Sequence, residues 1–136
     1  LVPGNAYYYW CEGIILRDQA VELKNRELAA LADSVFAKGT VINPYYSNNW
    51  IERIRLHRDH RALLDNPVSH ETLLLWSEGL LAWHPYHGPV NMEYARTLVF
   101  LGQKKEALLF ARQMQRRYPE SKLIKNLIKD IEQGVY

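Results

Sequence analysis

Apolar positions along this chain recur with the period of an α-helix, and polar stretches rich in Asn, Pro and Gly separate them. The longest helical stretch covers residues 14–38, where an apolar residue returns every seven positions. The members of this series are Ile14, Val21, Leu28 and Val35. The periodicity predicts one long amphipathic helix. We expect it to end at Gly39, since glycine suits the left-handed backbone that follows many helices.

A second helix is predicted over residues 50–64, after a loop of turn-forming residues at 40–49. Asn49 and Glu52 have the spacing of a capping box, in which the Asn oxygen accepts from a free backbone amide and the Glu side chain reaches back. Pro67 follows the end of this helix.

The most apolar helix is predicted over residues 71–83, because Leu or Trp occupies seven of these positions. Ser69 is placed to cap it, and its apolar character on nearly all sides is typical of a helix at the centre of a domain. Gly79 lies inside this helix at a cost of about 1 kcal/mol relative to Ala. We interpret Gly79 as the site where a neighbouring helix approaches closely.

Three further helices are predicted, over residues 90–101, 104–118 and 122–136. Pro89 suits a first helical position, and Ser121 suits an N-cap. The last helix has apolar residues on one side and Lys residues on the other. That pattern is typical of a terminal helix that covers an otherwise exposed face.

Small residues and turn residues in the second half follow a fixed spacing. Ala95, Gly102, Ala107 and Pro119 lie at successive intervals of seven, five and twelve positions. The interval from Pro85 to Pro119 also separates equivalent positions in the helices before these prolines. In those helices Leu74, Leu75, Ser77 and Leu80 match Leu108, Leu109, Ala111 and Met114.

This spacing resembles the tetratricopeptide repeat, a helix–turn–helix unit of about 34 residues. The chain departs from that repeat at Asn91, where Trp is frequent, and at Tyr94, where Leu is usual. The resemblance implies an all-α fold of five or six helices stacked as antiparallel hairpins, in a right-handed stack with a C-terminal capping helix. We expect one domain over 1–136, with an aromatic lead-in at 1–13, the long and second helices at 14–67, the repeat-like part at 68–121 and the capping helix at 122–136.

Composition narrows the function only slightly. The chain has 136 residues, 48% hydrophobic residues and a formal net charge of +2, values that fit one globular domain and give no reason to expect nucleic acid as a partner. The single cysteine, Cys11, is interpreted as a small buried residue.

Four consecutive aromatic residues at 7–10 cover the first helix in one interpretation, and mark the exit of a membrane span in another. Because the chain starts without Met, we expect it to be part of a longer protein.

No catalytic constellation is evident, and we expect no cofactor. The sequence has no Gly-rich phosphate loop and no nucleophile elbow, and Glu78 and Glu93 are interpreted as isolated carboxylates. His57 and His60 share the three-residue spacing of a metal pair, as do His84 and His87. Neither pair has a third ligand nearby, so no metal site is predicted.

The densest basic run contains Arg53, Arg55, Arg58 and Arg61, and its charge is partly offset by Glu52 and Asp59. A solvated helix surface explains this run, and an anion site for carboxylate or phosphate is the alternative, because the Arg fork binds such groups bidentately.

In repeats of this type the first helix of each hairpin lines a surface that commonly binds peptide or protein. The candidate binding residues on that basis are Asn91, Tyr94, Leu98, Arg58 and Arg61. The sequence therefore favours a non-catalytic module that binds a protein or peptide.

A second resemblance concerns residues shared with the general repeat: Leu101, Gly102, Glu106, Ala107, Arg112, Tyr118 and Pro119. Together with the aromatic segment, they resemble the C-terminal region of bacterial O-antigen ligase and polymerase-like membrane proteins, including pilin glycosylation ligases. This resemblance implies a periplasmic accessory domain of a membrane glycan ligase whose sugar-transfer residues lie elsewhere in the parent protein. A cytoplasmic adaptor is an alternative, and so is binding of a lipid-linked sugar phosphate through the helix at residues 53–61.

Overall fold

The computed structural model describes residues 5–134, and within that range the protein is all-α, as predicted. This range contains seven α-helices, where five or six were expected, and one short 3-10 turn at Arg61–Leu63. The helices are α1 (Ala6–Leu23), α2 (Arg26–Ile42), α3 (Ser47–Asp59), α4 (His70–Trp83), α5 (Gly88–Phe100), α6 (Lys104–Arg117) and α7 (Lys122–Gln133). Residues 1–4 of the lead-in and residues 135–136 of the last segment lie outside the described range.

The prediction of one long helix over residues 14–38 is wrong, because the chain turns back between α1 and α2. Lys24 has a left-handed backbone (φ 50°, ψ 43°), and the Asn25 amide donates to the Ala20 carbonyl at 2.9 Å, which closes the end of α1. The Asn25 side chain accepts from the Leu28 amide at 3.0 Å and starts α2. Lys24 therefore ends α1, and Asn25 starts α2 immediately after it. The aromatic residues of the lead-in belong to α1.

Gly39 and Asn49 have roles other than those predicted. Gly39 does not end a helix; it is buried inside α2, where a Cβ atom would lie 2.4 Å from the Asn49 side chain. Asn49 is no N-cap, because α3 already begins at Ser47. It is buried, and its amide donates to the Ala6 carbonyl at 2.9 Å. The pair thus forms a close contact between α2 and α3, which glycine permits because it has no side chain.

Local signals in the second half are confirmed with one exception. Ser69 and Ser121 cap α4 and α7 by accepting from the amides of Thr72 and Ile124. Gly102 lies in the turn between α5 and α6 with φ +78°, a conformation that favours glycine. The interpretation of Gly79 is wrong, because a Cβ atom there would meet nothing within 4 Å.

Helix bounds and turn geometry recur at the interval that separates Pro85 from Pro119. α4 and α6 begin at His70 and Lys104 and have 14 residues each, and α5 and α7 begin at Gly88 and Lys122. The connecting turns repeat as well, with amide-to-carbonyl bonds His84–Leu80 and His87–His84 in one, and Tyr118–Met114 and Ser121–Tyr118 in the other. Leu74 and Leu108 are both half-buried and pack against the same hydrophobic cluster.

A third copy of this turn joins α2 to α3, which the sequence pattern does not predict. Its amide-to-carbonyl bonds are Asn43–Gly39 and Tyr46–Asn43, around Pro44. The interval from Pro44 to Pro85 is seven positions longer than the interval from Pro85 to Pro119, so the strict period does not extend to this turn. The connection between α3 and α4 is longer and contains the 3-10 turn.

The helices therefore form three consecutive hairpins, α1–α2, α3–α4 and α5–α6, followed by α7. Each helix packs against the next along the chain, and α3 also contacts α1 and α5. The hydrophobic core has three clusters, centred on Phe36 in the first part, Ile54 in the middle and Met114 near the C-terminus. This packing places the first helices of the three hairpins side by side, and the candidate site lies on them.

Candidate functional site

A network of arginine and carboxylate side chains joins α3 to α5, with Glu93 of α5 at its centre. Glu93 is only 1% exposed. Arg55 Nε and Arg96 Nη1 both donate to its Oε1 atom, at 2.7 and 3.2 Å. Arg58 Nη1 lies 2.8 Å from Oε2. Three guanidinium groups thus surround one buried carboxylate, which offsets the cost of removing that charge from water.

Glu52 of α3 extends the network to α1. Its buried carboxylate accepts from Arg17 of α1 and, at 2.9 Å, from Arg55 Nη1. Arg55 therefore bridges Glu52 and Glu93, and the first helices of all three hairpins are linked by charge-assisted hydrogen bonds.

Arg58 is committed to this network. Its Nε and Nη2 atoms donate to the two oxygens of Asp59 at 2.8 and 2.9 Å, and Nη1 also reaches Thr97 Oγ1 at 3.3 Å. Burial opposes the charged form of Arg58, but hydrogen bonds to Asp59 and the charge of Glu93 outweigh it, so the pKa of Arg58 is raised. We conclude that Arg58 holds α3 against α5.

Arg55 and Arg96 differ from Arg58 because part of each guanidinium faces outwards. Each side chain is 34% exposed. Within the described residues, Arg55 Nη2 and Arg96 Nε and Nη2 make no hydrogen bond to the protein. Burial works against the charge of Arg55, but Glu93 and Glu52 more than offset it and raise its pKa. Arg55 thus stays charged, and both arginines keep hydrogen-bond donors for a ligand.

Two cavities meet at this arginine pair. The larger, about 570 Å³, extends along α5 to the start of α7 and is lined mainly by apolar groups. Its walls include Met92, Met114, Leu123 and Ile124, with Tyr86 and Tyr118 beside them. The smaller, about 390 Å³, lies between α3 and α5. Arg55 and Arg96 line both, so an apolar cleft has two cationic groups at one end.

A third cavity lies between α3 and α4, away from the arginine pair. It has a volume of about 210 Å³ and is lined by Trp50, Trp76 and Trp83 together with Gly79. Gly79 therefore lies at an open aromatic pocket, and no helix packs on it.

Among the residues predicted to bind a partner on α5, Asn91 lines one of the cavities described above, and Tyr94 and Leu98 do not. Asn91 lines the larger one, although its amide is engaged by the carbonyls of Pro85 and His87 at 3.1 and 2.8 Å. Tyr94 is half-buried, and its ring packs edge-on against Phe110 of α6, with the two ring centroids 4.8 Å apart. Leu98 is buried in the core.

Arg61 and Arg53 do not join the arginine pair. Arg61 Nη1 donates to the His57 carbonyl at 3.0 Å. Arg53 Nε donates to Asp33 at 2.9 Å, and its guanidinium lies over the Trp76 ring. The predicted basic run is therefore divided between several surfaces, and only part of it faces the cavities.

Glu93 and Arg96, the two residues of α5 that lie next to Arg55, are not identified by the sequence analysis. The interpretation of Glu93 as isolated is wrong, and Arg96 is absent from the predicted site. The available signal was the spacing of three residues between Glu93 and Arg96, and between Glu52 and Arg55, which puts each pair on one helix face. The contact from Arg55 to Glu93 spans 38 residues, and only the packing of α3 against α5 reveals it.

His57 has a structural environment. Its Nδ1 accepts from the Val68 amide at 3.0 Å, so the proton lies on Nε2, which donates to Asp33 at 2.9 Å. Burial raises the pKa of Asp33, but the hydrogen bonds from His57 and Arg53 outweigh this and lower it overall. With both ring nitrogens engaged, His57 has no lone pair available for a metal or a substrate.

The other histidine pair gives no stronger case for a metal. The rings of His84 and His87 are 6.1 Å apart in the α4–α5 turn. Among residues 5–134, no group of three or more His, Cys, Asp or Glu side chains is arranged to hold a metal ion. Over the same residues, no helix combines the length and the apolar composition needed to cross a bilayer.

Comparison of the chain with protein-family models, with curated proteins and with solved structures finds no match.

Proposed function

We propose that this protein is a non-catalytic recognition module of the tetratricopeptide type, which binds an extended peptide segment of a partner protein. The hairpin arrangement supports this proposal, because the α4–α5 turn geometry recurs in the α6–α7 turn and appears once more between α2 and α3. Stacks of this kind present a continuous surface made by the first helix of each hairpin.

The observation that carries the proposal is the 570 Å³ cavity between α5 and α7. Binding sites commonly have volumes of about 300–1,000 Å³, with apolar walls and a few polar groups that fix orientation. Met92 and Ile124 supply apolar wall, and Arg96 supplies polar donors at one end. Apolar side chains of an extended peptide fit such a cleft, and the peptide backbone stays accessible to water.

A binding role accounts for this site better than catalysis does. The carboxylates that contact the arginine pair, Glu52 and Glu93, are themselves buried and held by arginine side chains. Buried His57 has no free ring nitrogen, because its two nitrogens are engaged by Asp33 and the Val68 amide. We therefore assign Glu52, Glu93 and His57 to holding the helices in place.

The experiment is selection from a library of random twelve-residue peptides, followed by fluorescence polarisation with the selected sequence. Leu123→Glu places a charge in the cavity wall, and Leu109→Glu is the matched control on α6 outside it; both leucines are exposed. We expect Leu123→Glu to weaken binding at least tenfold and Leu109→Glu to leave it unchanged. Failure to select any sequence, or equal effects of the two changes, would refute the proposal.

A further inference from the structure

The guanidinium groups of Arg55 and Arg96 meet at a single oxygen atom. Both donate to Glu93 Oε1, which fixes their positions relative to each other. Each then retains at least one outward N–H group without a partner among the described residues, and both line the two adjoining cavities. The arrangement is a preformed pair of donors at the end of an apolar cleft.

We infer that Arg55 and Arg96 form a subsite for a carboxylate of the bound segment, so that the cleft selects peptides with Asp or Glu next to apolar residues. This inference rests on the proposed function and adds the chemistry of its ligand. Guanidinium groups bind carboxylates with two parallel hydrogen bonds, which gives both strength and orientation.

Glu93 does not compete with such a ligand, because it lies beneath the pair. Its carboxylate is 1% exposed, while each arginine side chain is 34% exposed. Glu93 therefore neutralises part of the charge from inside and leaves the outer donors free. It also restricts the two side chains before binding, which lowers the conformational entropy that a ligand must overcome.

The cavity next to the pair favours a peptide carboxylate over other anions. Met92, Met114, Leu123 and Ile124 form an apolar wall beside the arginines. Apolar peptide side chains bury against such a wall, whereas a sugar phosphate would leave hydroxyl groups without hydrogen bonds there. The charge of the arginine pair and the apolar wall of the cavity therefore both favour a peptide that has acidic and apolar side chains.

The test compares a selected acidic peptide with the same peptide in which Glu or Asp is replaced by Gln or Asn. In wild type we expect the acidic form to bind at least tenfold more tightly, and the advantage to shrink at high salt. Arg96→Gln should remove most of this preference, and the control Arg112→Gln, an exposed change on α6, should keep it. Equal affinity of the acidic and amide peptides for wild type would overturn the inference.

A second measurement separates the failure of this subsite from the failure of peptide binding. Sodium acetate and inorganic phosphate are titrated separately while the side-chain Nε–Hε signals of arginine are followed by NMR. We expect saturable shifts at Arg55 and Arg96 and none at Arg112. Peptide selection without these shifts would overturn the subsite and leave the proposed function standing. Tighter, Arg96-dependent binding to phosphatidylglycerol vesicles than to any selected peptide would assign the pair to lipid phosphate and refute the inference.

Discussion

Replacing Glu93 with Gln tests the network that holds the site together. The change keeps the shape of the side chain and removes a charge that is 1% exposed and contacted by three arginines. Removing one partner of a buried ion pair costs about 3–5 kcal/mol, since the remaining charge stays out of water.

The structure places the expected effect at the lower end of this range. Arg58 keeps its two hydrogen bonds to Asp59, Arg55 keeps Glu52, and Arg96 is 34% exposed and can be hydrated. We therefore expect a loss of about 3 kcal/mol. With an unfolding entropy of about 2.1 cal/mol/K per residue over 136 residues, this loss lowers Tm by about 10 °C.

The assay is thermal unfolding followed by circular dichroism, supported by urea denaturation at about 25 °C. Glu78→Gln is the matched control, because Glu78 is exposed on α4 and its replacement should change the stability by no more than about 0.5 kcal/mol. If Glu93→Gln melts within a degree or two of Glu78→Gln, the carboxylate does not hold the arginines and the account of the site is wrong.

Four further substitutions test the packing and the electrostatics. Ala107 is completely buried, so Ala107→Leu should overpack the hairpin and cost about 1–3 kcal/mol in a denaturation experiment; an unchanged midpoint would contradict this. Gly39→Ala should destabilise by a similar amount because its Cβ would overlap Asn49, whereas Gly79→Ala should stabilise by about 0.5–1 kcal/mol, and melting curves in the opposite order would refute the packing. The pKa of Asp33 is lowered in the folded state, so its stabilising effect is present above the unfolded-state pKa of about 3.9 and is lost as the pH falls through the folded-state pKa. Asp33→Asn should therefore lower Tm at neutral pH and have a much smaller effect in acid below the folded-state pKa, and equal effects under the two conditions would contradict the lowered pKa.

The second half of the fold is accessible from the sequence because its signals are local. A serine before an apolar helix specifies a cap, as at Ser69 and Ser121, and Gly102 specifies a tight turn. The interval from Pro85 to Pro119 also predicts that α4 and α6 are equivalent. Each cap or turn depends on residues within a single helix or turn. The Pro85–Pro119 interval requires only that two turns of the chain be compared.

Prediction fails in the first half where a regular pattern conceals a turn. Apolar residues at 14, 21, 28 and 35 continue through Lys24 and Asn25, yet Asn25 caps a new helix and Lys24 adopts a left-handed backbone. Interpreting Gly39 as a helix end also hides the buried face of α2. On that face small Ala32 and Gly39 flank the larger Phe36, ahead of Pro44. The third copy of the turn, between α2 and α3, is recognised only from its backbone hydrogen bonds.

The site is the least predictable feature, because it depends on which helices are neighbours. The sequence identifies Arg55 only as part of a basic run, and its partner Glu93 is 38 residues away. The relation to membrane glycan ligases and the periplasmic location stay predictions, which the gene sequence around this chain would test.

Peptide binding by the surface of α3, α5 and α7 can be observed residue by residue. The most direct measurement is the change in backbone amide NMR signals when a selected acidic and apolar peptide is added to the isotope-labelled protein. We expect saturable changes around Arg55, Met92, Arg96 and Ile124, with little change on the outward faces of α2, α4 and α6. Changes confined to those outward faces, or centred on the Trp50–Trp83 pocket, would contradict this expectation.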